Sequence, residues 1–117
     1  MAIVLHDVAL KGELVEEEIH QHSAWYGKLP GLFAQDLLRG HPAGTYLLRD
    51  GEIEHQYYVS FVDMKGVVQH TPFQIHPETG WMMPNGESCF LKATQSVKDV
   101  IPLLIGSNEA QPFQVPV

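Results

Sequence analysis

Two arginines occur among the 117 residues, Arg39 and Arg49, and the second sits where a charge is hard to place. It closes the apolar run Gly44-Thr45-Tyr46-Leu47-Leu48, and the acidic turn Asp50-Gly51-Glu52 follows at once. Burying a guanidinium without a partner is costly. Delivered by the end of an interior strand, it offers a fixed fork of donors to a carboxylate or a phosphate. The same pattern arises where a strand simply emerges into solvent, and strand pattern alone leaves the two readings level. The remaining chemistry-bearing residues are patterned more weakly. Seven histidines include His6, His20 and His22 near the start, but no three ligands share a metal-site spacing. Cys89, the single cysteine, lies in no thiol-catalysis motif and reads as a small buried thiol. A metal- or thiol-dependent enzyme is therefore the least supported class, and no cofactor or metal is expected.

The elements that must position Arg49 are legible from periodicity. Gly31 to Arg39 carries Leu32, Phe33, Ala34, Leu37 and Leu38 at helical spacing, and Gly40-His41-Pro42 ends it. Three strand patterns follow, from Gly44 to Arg49, from His55 to Val62 and from Val67 to Ile75. The turns Asp50-Gly51 and Asp63-Met64-Lys65-Gly66 suit antiparallel hairpins. Pro72 predicts a bulge or an edge over the second half of the third strand. The first two strands are almost continuously apolar, which requires a sheet covered on both faces. A second cover is available from Ser96 to Leu104, where Val97, Val100, Ile101 and Leu104 recur at helical spacing. Pro102 is expected to end or kink that helix. The order is helix, antiparallel sheet, helix, an α+β fold with one helix on each face. Residues 1–22 form an N-terminal extension, and Glu13 to Ile19 within it is either a short helix or a solvated acidic arm. Trp81-Met82-Met83 and Cys89-Phe90-Leu91, separated by the turn Pro84-Asn85-Gly86-Glu87, are expected to pair as a small hairpin. The tail at Phe113 to Val117 is a candidate edge strand.

Length and composition bound the rest. A chain of this size suits one domain with one modest core. The formal net charge of −7 disfavours extended contact with a phosphate backbone, so no nucleic-acid partner is expected. Any phosphate site must be local and strong, because the field of the whole protein opposes it. No apolar run approaches the ~20 residues of a membrane span. The N-terminus makes a poor signal peptide, and the lone cysteine is compatible with a reducing, cytoplasmic compartment.

Taken in order, five segments resemble the SH2 domain. They are Trp25-Tyr26-Gly27-Lys28-Leu29, Ala34 with Leu37-Leu38, Gly44 to Arg49, Tyr58-Val59-Ser60, and His70. A closing helix from Ser96 to Ile101 completes the pattern, so that residues 23–117 form the SH2-like domain, with an inserted loop or hairpin before that second helix. The resemblance implies a phosphotyrosine-binding module with tyrosine-phosphorylated peptides or proteins as partners, acting as a monomer. Arg49 matches the arginine that takes two phosphate oxygens, and a dianion with three acceptor oxygens suits a bidentate donor. His70 matches the histidine that orders the pocket, and the Ser60 hydroxyl either reaches the pocket or makes a structural hydrogen bond. The turn from Asp50 to Glu54 matches the phosphate-binding loop, whose backbone N–H groups can cradle an anion, Gly51 permitting close approach.

The chain departs from the family pattern in its charges. The turn carries Asp50, Glu52 and Glu54 and no hydroxyl, and the second arginine found early in the first helix is replaced by Gly31 or Leu32. Thr71-Pro72 stands where a basic residue follows the histidine. Lys28 and Arg39 are the nearest substitutes. The insertion at 84–92, with Met83, Phe90 and Leu91, is a candidate lid over the peptide beside Thr71, or else part of the core. These departures leave open a degenerate SH2-like interaction module that does not need phosphotyrosine. They also resemble the divergence of bacterial effector SH2 domains, which act in the host-cell cytoplasm.

Overall fold

The computed structural model describes residues 11–77, 82–84, 97–106 and 109–114. Helix α1 spans Lys11–His20 and α2 spans Gly31–Leu38; strands β1 (Thr45–Asp50), β2 (Gln56–Val62), β3 (Val68–Ile75) and β4 (Met82–Pro84) follow, then α3 (Val97–Ile105) and β5 (Gln111–Pro112). The sheet order is β4-β3-β2-β1-β5. Its pairs are antiparallel except β1 with β5, which is parallel. The tail returns as a parallel edge strand at Gln111–Pro112, just before the expected stretch at 113–117; the Phe113 N–H donates to the Tyr46 carbonyl, and 115–117 lie outside the described residues. Every residue of β1 but Asp50 is buried, as expected of a strand covered on both sides.

Two cores form, one per face. Ala34 and Leu38 of α2 pack on Leu47 and Val62, with Phe113 joining them. On the opposite face Val97, Val100, Ile101 and Ile105 of α3 meet Tyr46, Leu48, Tyr57, Val59, Phe61, Phe73 and Ile75. Pro102 lies inside α3, which runs on to Ile105. Burial of the four aliphatic residues offsets the ~3 kcal/mol that an interior proline costs. Pro72 is accommodated without a bulge. Ile75 N–H donates to the His55 carbonyl, so by alternation the Pro72 nitrogen points away from β2. Among the described residues nothing pairs with β3 on that side at Pro72, since β4 reaches only Phe73–Ile75. The expected edge thus holds at Pro72 itself and fails over Phe73–Ile75, which β4 covers. Met82–Pro84 pairs with β3, so Pro84 is a strand residue; the proposed partner strand at 89–91 and the rest of the 84–92 insertion lie outside the described residues.

The acidic stretch near the start is a helix, and it covers the α3 face. Ile19 is fully buried in the larger core, and Gly12 N–H donates to the Pro77 carbonyl. Glu16 faces inward, accepting from the Tyr57 hydroxyl at 2.6 Å and lying 2.9 Å from His55 Nδ1. Glu18 Oε2 accepts from the Val97 N–H at 2.9 Å, which caps α3 from a different element. Glu18→Ala is therefore expected to lower stability by about 1–2 kcal/mol, the range of a lost N-cap, read as a shift in urea midpoint. Just beyond α1, the Ala24 N–H donates to His22 Nδ1 at 3.0 Å, and His22 Nε2 lies 3.3 Å from the Tyr46 hydroxyl. Nδ1 is an acceptor here, so His22 is held as the neutral Nε2–H tautomer.

Candidate functional site

Arg49 stands one residue from the end of β1, on the sheet face that α2 covers, and is 9 % exposed. Cross-strand register decides its neighbours. Tyr58 lies directly opposite Arg49, Ser60 opposite Leu47, and His70 opposite Ser60, so all of these side chains share one face. The guanidinium carbon sits 4.4 Å from the centre of the Tyr58 ring, a cation–π contact. Arg49 Nε donates to Ser60 Oγ at 3.0 Å, and Ser60 Oγ lies 2.7 Å from His70 Nδ1. Arg49 Nη2 is 3.3 Å from the same ring nitrogen. Arginine has only donors, so the serine hydroxyl accepts from Arg49 and donates to Nδ1, and His70 is neutral with its proton on Nε2. One consistent polar network thus clamps the inner side of the guanidinium.

Its outer side is left open. Among the described residues, Nη1 makes no hydrogen bond, and no carboxylate lies within ion-pair distance of Arg49. Every buried side-chain nitrogen or oxygen of the described residues has a partner, so the unpaired Nη1 is one that solvent reaches. Burial lowers the Arg49 pKa, with Tyr58 and Glu52 opposing that shift; arginine nonetheless stays charged at any physiological pH. The opening leads to a cleft of about 670 Å³ between residues 28–31 and residues 49–54.

The expected site residues divide accordingly. Arg49, Lys28, Gly51 and Glu52 line this cleft. Ser60 and His70 stand behind Arg49 and hold it. Thr71 pairs with Val59 and belongs to the opposite face of the sheet, so it is separated from Arg49 by the strand itself. Met83 lies on β4 opposite Gln74, and Phe90 and Leu91 lie outside the described residues. Arg39 is exposed and pairs with Asp36 at 3.0 Å, away from the cleft.

Two glycines take on definite roles. A Cβ on Gly31 would stand 3.3 Å from Arg49 Nη2, a tight contact that a few tenths of an ångström of movement would relieve, so α2 begins close against the guanidinium. Gly31 is one of the two positions, with Leu32, at which the resemblance implied a second arginine. Gly51 answers to Gln56 instead of to a ligand. Its Cβ would stand 2.6 Å from the Gln56 carbonyl oxygen, its N–H donates to that oxygen, and the Glu52 N–H donates to Gln56 Oε1 at 2.8 Å. These two backbone donors, expected from the sequence to face an anion, are engaged within the turn. Tyr58 and Gln56 were not among the expected site residues. Alternation across the Asp50-Gly51 hairpin could have found Tyr58; nothing local marks Gln56.

The two inward histidines make stability pH-dependent. Burial, then the Arg49 charge, lowers the His70 pKa; burial, opposed by Glu18, lowers that of His22. With folded pKa values below the unfolded value near 6.5, the unfolded chain takes up protons first as pH falls. Stability is therefore full above about pH 6.5 and declines as pH drops through the folded values. Thermal melts between pH 7.5 and 5 check this, and His70→Gln with His22→Gln should flatten the slope.

Comparison with known proteins then gives a consistent result. A family model described as SH2 domain matches residues 25–98. No curated protein sequence matches. Among solved structures, the solution NMR structure of the SH2 domain of the Monosiga brevicollis CRK/CRKL homolog is similar, with a TM-score of 0.61 and 21 % sequence identity. The similarity covers 80 % of this chain and 88 % of that one. At such identity the likeness is one of fold.

Proposed function

The chain belongs to the SH2 domain family, and we propose that within it Arg49 receives the phosphate of a phosphotyrosine peptide. As an SH2 domain it is a protein-interaction module and not an enzyme. Among the described residues, no cluster of histidine, cysteine or carboxylate residues could hold a metal, and no helix is long and apolar enough to cross a membrane.

The observation that carries this reading is an arginine, nine-tenths buried as a residue, held from behind by Ser60 and His70 and with no carboxylate partner among the described residues. A buried charge left without a counter-ion is unfavourable, and an anion of the right shape removes the penalty. Phosphotyrosine supplies about −1.5 to −2 charges and reaches the floor of a cleft on a rigid ring. Lys28, exposed on the cleft wall, adds a second cation.

A second reading rests on the turn. With the Gly51 and Glu52 N–H groups engaged by Gln56 and three carboxylates at the cleft, the domain serves as an interaction surface independent of phosphorylation. One peptide titrated in its tyrosine and phosphotyrosine forms separates the two. The phosphotyrosine reading requires binding of the phosphorylated form and competition by phenyl phosphate. Equal affinity for both forms would refute it in favour of the second.

A further inference from the structure

We propose that the cleft selects phosphotyrosines with a lysine or arginine within two residues, received by Glu52 and Glu54 at its mouth; this rests on the phosphotyrosine reading above. Two cations, Lys28 and Arg49, line the cleft against three carboxylates, Asp50, Glu52 and Glu54. They are layered by depth. Arg49 lies at the floor, 9 % exposed with Nη1 unpaired, whereas Glu52 and Glu54 are exposed on the turn between β1 and β2. Among the described residues neither carboxylate is strongly committed elsewhere. Glu52 makes no side-chain hydrogen bond or ion pair among the described residues, and Glu54, 87 % exposed, has only His55 Nε2 at 3.5 Å.

A phosphate on Arg49 places the tyrosine ring in the shaft of the cleft, so the ligand backbone crosses at the level of the turn. A dianion there leaves the lining strongly negative, inside a chain whose net charge is already −7. Acidic neighbours of the phosphotyrosine would meet Glu52 and Glu54 as like charges, and basic neighbours as partners. The carboxylates that weaken attraction of a bare phosphate therefore confer discrimination, by repelling the wrong sequence as well as attracting the right one.

The test uses one phosphotyrosine peptide with lysine, norleucine or glutamate placed in turn at the two residues on either side. Each is titrated against the full chain and against Glu52→Gln/Glu54→Gln. The expected order at one or more positions is lysine, norleucine, glutamate, each step about threefold to fivefold at low salt, as exposed charge pairs give. The order should collapse in the doubly substituted chain and at 1 M salt, where the screening length is about 3 Å. Phosphorylation-dependent binding indifferent to flanking charge overturns this inference alone, as does a charge preference that survives the double substitution. Binding indifferent to phosphorylation overturns the phosphotyrosine reading and this inference with it.

Discussion

Arg49→Ala is expected to lower affinity for a phosphotyrosine peptide by about 2 kcal/mol or more, roughly thirtyfold, the loss of a charge-assisted bidentate contact in a shielded pocket. Arg49→Lys should lose nearly as much. A lysine has neither the Nε that donates to Ser60 at 3.0 Å nor a planar face to lie over Tyr58 at 4.4 Å. With Gly31 and Leu32 where the family pattern has a second arginine, α2 offers no further guanidinium to share a phosphate. Stability should move little, or rise. Arg49→Ala removes a buried charge without a carboxylate partner, while Ser60 and His70, 2.7 Å apart, still satisfy each other. Calorimetric titration beside a thermal melt tests both halves. An affinity unchanged in a folded variant would place the ligand elsewhere on the domain.

The largest expected effect on stability lies far from the cleft, in α1. Ile19 is fully buried among Tyr57, Val59 and the aliphatic face of α3. Ile19→Ala should cost about 2–5 kcal/mol, through lost transfer energy and the cavity left behind. For a domain stabilised by about 5–15 kcal/mol that is a large fraction. A chain shortened to begin at residue 23 should suffer more, losing in addition the Glu16–Tyr57 and Glu18–Val97 hydrogen bonds. Urea denaturation measures both, with Ile19→Val as the control for a smaller cavity. A midpoint shift for Ile19→Ala equivalent to no more than the about 0.5 kcal/mol of a surface substitution would show that α1 docks only loosely.

Much of the layered architecture was legible because each strand carries its own burial requirement. The near-continuous apolar character of Thr45 to Leu48 and of Tyr57 to Val62 demands cover on both faces, and the observed β1 and β2 differ from the expected strands by a single residue at their ends. The acidic stretch of α1 was ambiguous for a related reason. Glu16, Glu17 and Glu18 mask a single decisive apolar residue, Ile19, and two of those carboxylates face inward to partners that are 41 and 79 residues away. The edge expected over the second half of β3 fails at Phe73–Ile75, because a proline reports a missing donor and not the side to which it points. That side follows from the ladder.

By itself the sequence determined that an arginine follows an apolar strand pattern, that an acidic turn adjoins it, and that helices cover the sheet. Periodicity and composition are local properties, and these conclusions need nothing more. Only the tertiary structure decided that Ser60, His70 and Tyr58 converge on Arg49, that α2 begins close against it at Gly31, and that Gln56 claims the donors of the turn. Those facts depend on strand register and on the docking of separate segments, where a shift of one residue would carry every partner to the other face.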